Sequence, residues 1–394
     1  MKKVSALLIL AGLCAAVFLS PQASSQGRKD KLRRNPNKIE NNYIVVLDDS
    51  VVGERGPFSI APYIANEMAA FHRGQLKHVY QHALNGFSVE MTPEEAEALS
   101  EDFRVKFVEE DGIVTADVTQ TNPPWGLDRI DQRNRPLSGT YTYNWTGSGV
   151  RAYVIDTGIR TSHSQFGGRA SNVFDAFGGN GQDCNGHGTH VSGTIGAATY
   201  GVAKSVLLRG VRVLNCSGSG SNSGVIAGVD WVTNNKILPA VANMSLGGGA
   251  STALDTAVNN LSNSGVPIAV AAGNSNANAC NSSPARAVNA ITVGSTTTTD
   301  ARSSFSNFGT CLDLFAPGSS ILSTWYTSDT ATATLSGTSM ASPHVAGVAA
   351  LYKQANPNAS ATTTRNAIVN NATTNVVTNA GSGSPNRLLY SLFF

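Results

Sequence analysis

The sequence predicts an α/β protein with a mostly parallel sheet flanked by helices, preceded by a small α+β domain. Three observations carry that expectation. Short, continuous apolar runs at 150–155, 207–213, 240–244, 268–272 and 290–293 alternate with helical stretches at 188–197, 221–233, 253–264 and 340–354. Buried strands alternating with helices imply parallel pairing with both faces of the sheet covered. Upstream, residues 43–108 read as strand, helix, strand, helix, strand, which fits a split α/β unit of the ferredoxin-like kind. The charge also changes sharply: residues 39–117 carry 5 Lys/Arg against 15 Asp/Glu, whereas residues 118–394 carry 15 Lys/Arg against 10 Asp and no Glu.

At 394 residues the chain fits two domains. With 14% charged residues and 39 glycines it reads as a compact protein with many tight turns, not as a disordered or coiled-coil chain. The net charge of +2 says little about partners, and no nucleic-acid partner is expected. The N-terminus reads as a secretory signal over residues 1–23: Lys2 and Lys3 lead an apolar stretch at 4–19, and small residues near Ala23 offer a cleavage site. That stretch is short for a bilayer span, and no other segment is apolar enough for one, so no stable membrane association is expected after cleavage. Cys14 follows Leu13, too bulky for lipoprotein processing. A polar, basic linker at 24–39 reads as disordered.

In the 40–117 domain, Tyr43-Ile-Val-Val-Leu47 is a strand, 61–72 a helix with apolar Ile64, Met68, Ala69 and Phe71, and Gly86-Phe-Ser-Val-Glu-Met91 an alternating strand. Thr92-Pro-Glu-Glu95 starts a second helix, with Thr92 as cap, Pro93 at the first helical position and Glu95 completing a capping box. Val105-Lys-Phe-Val108 is the last strand. Beyond residue 118, Cys184, Cys216, Cys280 and Cys311 suggest two disulfides in an exported chain, with three possible connectivities. Sequential pairing gives the two shortest loops in total. A metal site is disfavoured by the absence of close Cys/His spacing.

Ligands of parallel sheets sit at the carboxyl ends of the strands, and the chemistry-bearing residues fall there. Asp156 follows the run 152–155. His187 lies in Asn185-Gly-His-Gly-Thr-His-Val191, a glycine-flanked turn opening a helix. Asn274 ends Ala269-Val-Ala-Ala-Gly-Asn274, and Ser339 lies in Ser336-Gly-Thr-Ser-Met-Ala-Ser-Pro-His344, again at a helix start. Singly, an Asp or Ser in such a place is an ordinary helix cap, and His190 and His344 read equally as core histidines. Together they make a hydrolytic set. A serine hydroxyl is a poor nucleophile until an imidazole takes its proton, Asp156 would fix the tautomer of His187, and the Ser339 N–H with the Asn274 amide would hold an oxyanion.

These blocks, Val-Ile-Asp-Thr-Gly, Asn-Gly-His-Gly-Thr-His-Val and Gly-Thr-Ser-Met-Ala, resemble the subtilisin family of serine proteases. Pro124-Trp-Gly-Leu-Asp128, Val241-Ala-Asn-Met-Ser-Leu-Gly-Gly248 and Ser303-Ser-Phe-Ser-Asn307 are similar to the proteinase K branch, and within it to the aqualysin-type enzymes. The likeness covers essentially all of 118–394, and 40–117 resembles the inhibitor propeptide of the family. The resemblance implies a subtilisin-like catalytic domain at 118–394 and a secreted, extracellular, monomeric endopeptidase acting on proteins and peptides. It also implies an autoprocessed precursor, cut near 115–118, whose propeptide chaperones folding and then inhibits. Substrate backbone would pair with Gly218, Ser219 and Gly220 on one side and Ser245, Leu246 and Gly247 on the other. Ala271, Ala272 and Gly273 would line a pocket for an apolar or aromatic residue before the cut. The implied disulfides are 184–216 and 280–311.

The resemblance further implies structural calcium, held at one site by Asp313 with the carbonyls of Val288 and Ala290, and at another by Asp128, Asp131 and Gln132. Ser138 and Thr140 stand where some relatives supply further ligands, and both are neutral. The opposite charges of 39–117 and 118–394 lead us to expect that electrostatic attraction aids inhibition. Three other readings are weaker. An aspartic protease needs a second Asp-Thr-Gly beside 156–158, a lipase-type elbow needs Gly-x-Ser-x-Gly, and a non-catalytic binder would not keep all four positions.

Overall fold

The computed structural model describes residues 31–35, 38–112 and 118–394. The expected signal at 1–23 lies outside the described residues, as does most of the expected cleavage segment at 115–118. Two compact units divide between positions 114 and 115.

The first unit is a five-stranded sheet in the order Leu32–Arg33, Val105–Gly112, Lys38–Leu47, Gly86–Glu90, Gln75–Tyr80. The helices Ala61–Phe71 and Pro93–Ser100 share its core, with Ile64, Met68 and Leu99 packed among Tyr43, Val45, Phe87 and Val108. The strand Gln75–Tyr80 goes unforeseen because most of it is exposed and carries no apolar alternation. With it the order becomes β-α-β-β-α-β, the full ferredoxin-like pattern. Thr92 caps its helix through Glu95 N, but the Glu95 carboxylate bonds His72 Nδ1 at 3.1 Å instead of closing a capping box.

The basic segment before this unit corrects one expectation. It is not a loose linker throughout, since Leu32–Arg33 pairs in parallel with Val108–Glu109 and Leu32 is buried. The cause is charge and stacking. Arg34 meets Glu97 and Glu110 at 3.3 Å, Lys38 meets Glu110 at 3.5 Å, and the Arg33 guanidinium lies 3.4 Å over the Phe107 ring. Residues 31–112 therefore hold 9 Lys/Arg against 14 Asp/Glu, half the imbalance that the count from residue 39 suggests.

The second unit is built on a nine-stranded sheet. Its order is Thr373–Thr374, Arg387–Leu388, Leu314–Pro317, Ile291–Thr296, Ile268–Ala271, Ala240–Met244, Arg151–Asp156, Leu207–Arg212, Ala170–Asp175, and all but the first pairing are parallel. Along Arg151–Asp156, Ala152 and Val154 enter a core with Val191, Ile195 and Val345, while Tyr153 and Ile155 enter another with Val225, Val229 and Val258. A strand apolar on both faces is thereby sandwiched by helices, as its unbroken apolar run requires. The chain departs from this first strand to Leu207–Arg212 on one side and to Ala240–Met244 on the other. The crevice at its carboxyl end is a topological switch point. Two disulfides are formed, Cys184–Cys216 and Cys280–Cys311. Among the described residues no helix is long and apolar enough to cross a membrane.

One buried ion pair ties the first turn of this unit to a distant one. Arg129 is fully buried and holds Asp300 through Nε at 2.8 Å and Nη2 at 3.1 Å, while Nη1 donates to the Gln132 carbonyl at 2.8 Å. Removing one partner strands the other charge in the interior, a loss of about 3–5 kcal/mol. Arg129→Met should therefore lower the unfolding temperature of inhibited enzyme by roughly 10 °C, and Arg129→Met with Asp300→Asn should recover part of that loss. A single variant no less stable than the double one, by calorimetry, would contradict this account.

Candidate active site

Asp156, at the end of its strand, is fully buried. Its Oδ1 accepts from His187 Nδ1 at 2.7 Å and from the Thr157 amide at 2.8 Å, and Oδ2 has no partner among the described residues. His187 opens the helix His187–Gly196 behind Gly186, whose φ of 111° is left-handed and favours glycine. A Cβ there would also stand 2.5 Å from the Trp325 ring. Gly186 offers no side-chain cap, and the first amides of the helix find acceptors elsewhere: Gly188 donates to Thr157 Oγ1 at 2.8 Å and Thr189 to Asp183 Oδ2 at 2.9 Å. Burial pulls the His187 imidazole down, but the charge and hydrogen bond of Asp156 and the charge of Asp183 outweigh it and hold the ring above its ordinary pKa.

Ser339 is the second residue of the helix Thr338–Ala355, which likewise has no side-chain cap on its N-cap Gly337. The Thr338 amide and Oγ1 both donate to Asn274 Oδ1, at 2.8 and 2.9 Å, and Gly273 donates to Thr338 Oγ1 at 3.1 Å. With its oxygen so engaged, the Asn274 NH2 group has no partner among the described residues. A Cβ on Gly337 would lie 3.6 Å from both Asn274 Nδ2 and Ser339 N, so glycine leaves open a space between two N–H donors. Ser339 Oγ donates to the Ser245 carbonyl at 3.1 Å, and in this rotamer it makes no hydrogen bond to His187. Ser342 Oγ, Asn243, Ser245 Oγ and the Ser339 carbonyl form a hydrogen-bonded chain of 2.7, 2.9 and 2.7 Å that pins this helix start to the strand Ala240–Met244.

Two adjoining clefts meet at Leu246, Gly247 and Gly248. One, about 390 Å³, has His187, Gly218, Ser219, Gly220 and Ser245 on its walls; the other, about 360 Å³, has Ala271, Ala272, Gly273, Asn274 and Ser339. All the backbone-pairing and pocket residues singled out in the sequence thus reach these clefts. Sequence reasoning passed over the apolar wall of the first, Leu214, Val225 and Leu254, which reads only as core, and the polar residues that hold the walls in place: Thr157 and Thr338, which line the clefts, and Asp183 and Asn243 behind them. Their signal was adjacency to the motif residues. The Cys184–Cys216 bond and Asn185 Nδ2 to the Cys216 carbonyl, 3.1 Å, tie the His187 turn to the 217–220 edge. His190 and His344 are interior: burial pushes both down to about 4, and backbone carbonyls take their ring N–H groups.

The calcium candidates divide. Val288, Ala290 and Asp313 share one groove of about 250 Å³, where Asp313 also accepts from Arg365 at 2.5 Å and from the Thr292 amide at 2.8 Å. In the 128–140 loop, Asp128 accepts from Ser138 N, Ser138 Oγ and Gly139 N at 2.8–3.1 Å, Gln132 Oε1 from Ser138 N at 3.0 Å, and Asp131 from Thr142 N at 2.6 Å. N–H and O–H donors occupy these acceptors, and among the described residues Asp131 Oδ1 is the buried oxygen of this set left without a partner. That donor set does not fit calcium, which takes 6–8 oxygens.

Comparison with known proteins agrees with this geometry. The profile of the Subtilase family matches residues 147–388, and that of Peptidase inhibitor I9 matches 42–117. The chain is 62% identical over 317 residues to the extracellular serine proteinase of Thermus sp. (strain Rt41A), covering 80% of this chain and 77% of that one. It is 49% identical over 420 residues to alkaline serine exoprotease A of Vibrio alginolyticus, covering all of this chain and 78% of that one. A crystal structure of a cold-adapted subtilisin-like serine proteinase matches 70% of this chain and 100% of its own at 58% identity, with a TM-score of 0.68. The chain therefore belongs to the subtilase family of serine proteinases and carries an I9 inhibitor domain ahead of its catalytic domain.

Proposed function

We propose that the protein is a secreted endopeptidase made as an autoprocessed precursor, in which Asp156, His187 and Ser339 form the triad and Asn274 helps hold the oxyanion. The 2.7 Å contact between His187 and a buried Asp156, in a cleft that runs on to the helix start of Ser339, carries this reading. Substrate would lie along 217–220 and 245–247, with an apolar or aromatic side chain in the pocket of Ala271, Ala272 and Gly273. Rotation of Ser339 about χ1 frees its hydroxyl from the Ser245 carbonyl and turns it to His187 Nε2; apo enzymes often lack this bond until substrate arrives.

The imidazole then takes the proton as Oγ attacks the carbonyl carbon, and Asp156 stabilises the imidazolium. The Ser339 N–H and Asn274 Nδ2 receive the developing oxyanion. The imidazolium protonates the leaving amine, which departs, and water attacks the acyl-enzyme by the same route in reverse. Domain boundaries near 23, 39 and 117 follow from this reading, with the I9 domain as chaperone and inhibitor. Calcium would be held by Asp313 and the carbonyls of Val288 and Ala290, sharing the carboxylate with Arg365, and would supply stability and no step of the chemistry.

Ser339→Ala should abolish proteolysis, a loss of about 10⁶ in kcat, and Asn274→Leu should lower kcat by about 10²–10³ with KM little changed. A serine-directed sulfonyl fluoride should inactivate the wild type, and proteolysis by Ser339→Ala at wild-type rates would end the assignment. Chelation should lower the unfolding temperature of wild type and leave Asp313→Asn unmoved; an equal shift in both places calcium elsewhere. Inhibition in trans by residues 39–117 should weaken as salt is raised, and less so for residues 31–117, whose four added cations offset acidic charge. Salt-independent inhibition constants for both would remove the electrostatic contribution.

A further inference from the structure

We propose that Asp183 is a positioning residue for the reaction: its buried carboxylate binds the turn after Asp156 to the start of the His187 helix and so fixes the distance between the two. The proposal rests on the reading of His187 as the general base. Asp183 is 9% exposed, and among the described residues no cation pairs with it. Its Oδ1 accepts from Thr157 Oγ1 at 2.9 Å, Asn185 N at 2.9 Å and Gly186 N at 2.8 Å; its Oδ2 accepts from Thr189 N at 2.9 Å and Thr189 Oγ1 at 2.5 Å. These five donors come from both sides of the Asp156–His187 contact. Thr157 is joined to Asp156 by the peptide whose N–H bonds Asp156 Oδ1, and its hydroxyl also accepts from Gly188 N. Asn185, Gly186 and Thr189 surround His187 in sequence. One acceptor thus clamps both catalytic turns.

Only an ionised carboxylate can accept from all five. An amide at this position would turn an NH2 group onto a donor, and a neutral acid would turn an O–H onto one. The charge has a second consequence. The titratable groups facing His187 are Asp156 from the strand end, Asp183 from the preceding loop and His190 from its own helix. Neighbouring Arg160 and Arg212 are paired with Asp329 and Asp175. Asp183 therefore adds negative charge beside an imidazole that must accept a proton, and favours the imidazolium.

The test uses the mature enzyme, with active sites counted by a serine-directed titrant. Because the base acts when neutral, kcat/KM rises with pH through the pKa of His187, and a lost negative charge moves that acid limb to lower pH. Asp183→Asn should lower kcat per titrated site at least about 30-fold with KM within about threefold, and move the limb down by about half a unit or more. Thr157→Val keeps the charge but cuts the tie; it should lower kcat about fivefold or more and leave the limb in place. An Asp183→Asn enzyme whose limb stays at the wild-type pH, or wild-type kcat in either variant, overturns the proposal. Should Asp183→Asn yield no titratable enzyme, Thr157→Val decides by its kcat. His187→Ala separates the two levels of the argument: activity surviving in it would sink the triad itself, and this proposal with it.

Discussion

A helix that starts in the interior of a protein must find acceptors for its first amide groups, because water cannot supply them. The site of this enzyme depends on how that requirement is met at two helix starts. The helices Asn222–Asn235, Thr252–Asn263 and Ala361–Asn370 meet it locally, each with a serine at the N-cap whose hydroxyl accepts from the third residue beyond. The helices that begin at His187 and Thr338 do not, since a glycine stands at each N-cap. Apart from the local bond of His187 N to Asn185 Oδ1 at 3.2 Å, their acceptors lie further off: Thr157 and Asp183 for one, Asn274 for the other. Capping at a distance fixes tertiary geometry as local capping cannot, because each satisfied amide also sets where a neighbouring loop must lie. It also leaves the Ser339 N–H without a partner among the described residues, available as a donor to substrate.

The sheet explains why these loops can meet at all. Asp156 ends the strand from which the chain departs in both directions, so its carboxyl end faces an open crevice and not a packed crossover. Asn274 follows the strand two positions away, beyond Ala240–Met244, and Ser245 follows Ala240–Met244 itself. Residues far apart in sequence, to which we assign the hydrolytic site, thereby stand side by side along the carboxyl end of one sheet. The cleft walls between them are small: glycine at 218, 220, 247, 248 and 273, alanine at 271 and 272. A wall without side chains lets a peptide backbone approach closely and leaves side-chain discrimination to the few apolar groups below it.

What was legible in the sequence follows from the same physics. The strand Ala240–Met244 is buried at every residue and was read to its exact bounds from an unbroken apolar run. The strands Ala170–Asp175 and Gln75–Tyr80 were not seen, since both are edges with half-exposed or exposed residues and no alternation to read. The helix Ala361–Asn370, mostly Thr, Asn and Ala, hid for want of an apolar stripe. Asp156, His187, Asn274 and Ser339 were legible because they sit in strand-end and helix-start motifs. Asp183 was not, because an Asp in a loop of Gly, Asn and Gln looks like any turn residue and its partners are known only once the chain has folded. The basic segment before residue 39 failed for a related reason: charge composition suggested solvation, and the partners that order Arg33, Arg34 and Lys38 lie some seventy positions on.

The contrast between the units in their acids then has a physical account. Residues 118–394 contain 10 Asp and no Glu. Six of those aspartates, Asp128, Asp131, Asp156, Asp175, Asp183 and Asp313, accept hydrogen bonds from backbone N–H groups of loops and strand ends. Asp175 and Asp183 reach amides two or three residues on, Asp156 that of the next residue, and Asp128, Asp131 and Asp313 amides ten or more positions away. A short carboxylate has little rotamer freedom to lose, and such a charged bond contributes about 1.5–3 kcal/mol. One more methylene would overshoot these turns and add side-chain entropy to be lost on ordering. In the first unit most glutamates work on the surface, where Glu67, Glu90, Glu97 and Glu109 pair with Lys or Arg across strands and helices and length is an advantage, while buried Glu110 accepts from the Asn35 amide. The catalytic domain is a sheet carrying many irregular loops that must hold still, and its aspartates pin them by backbone amides, either of the same turn, as at Asp175 and Asp183, or of a segment brought alongside, as at Asp128 and Asp131. Asp156 and Asp183 are two members of that set, in the loops to which we assign the reaction.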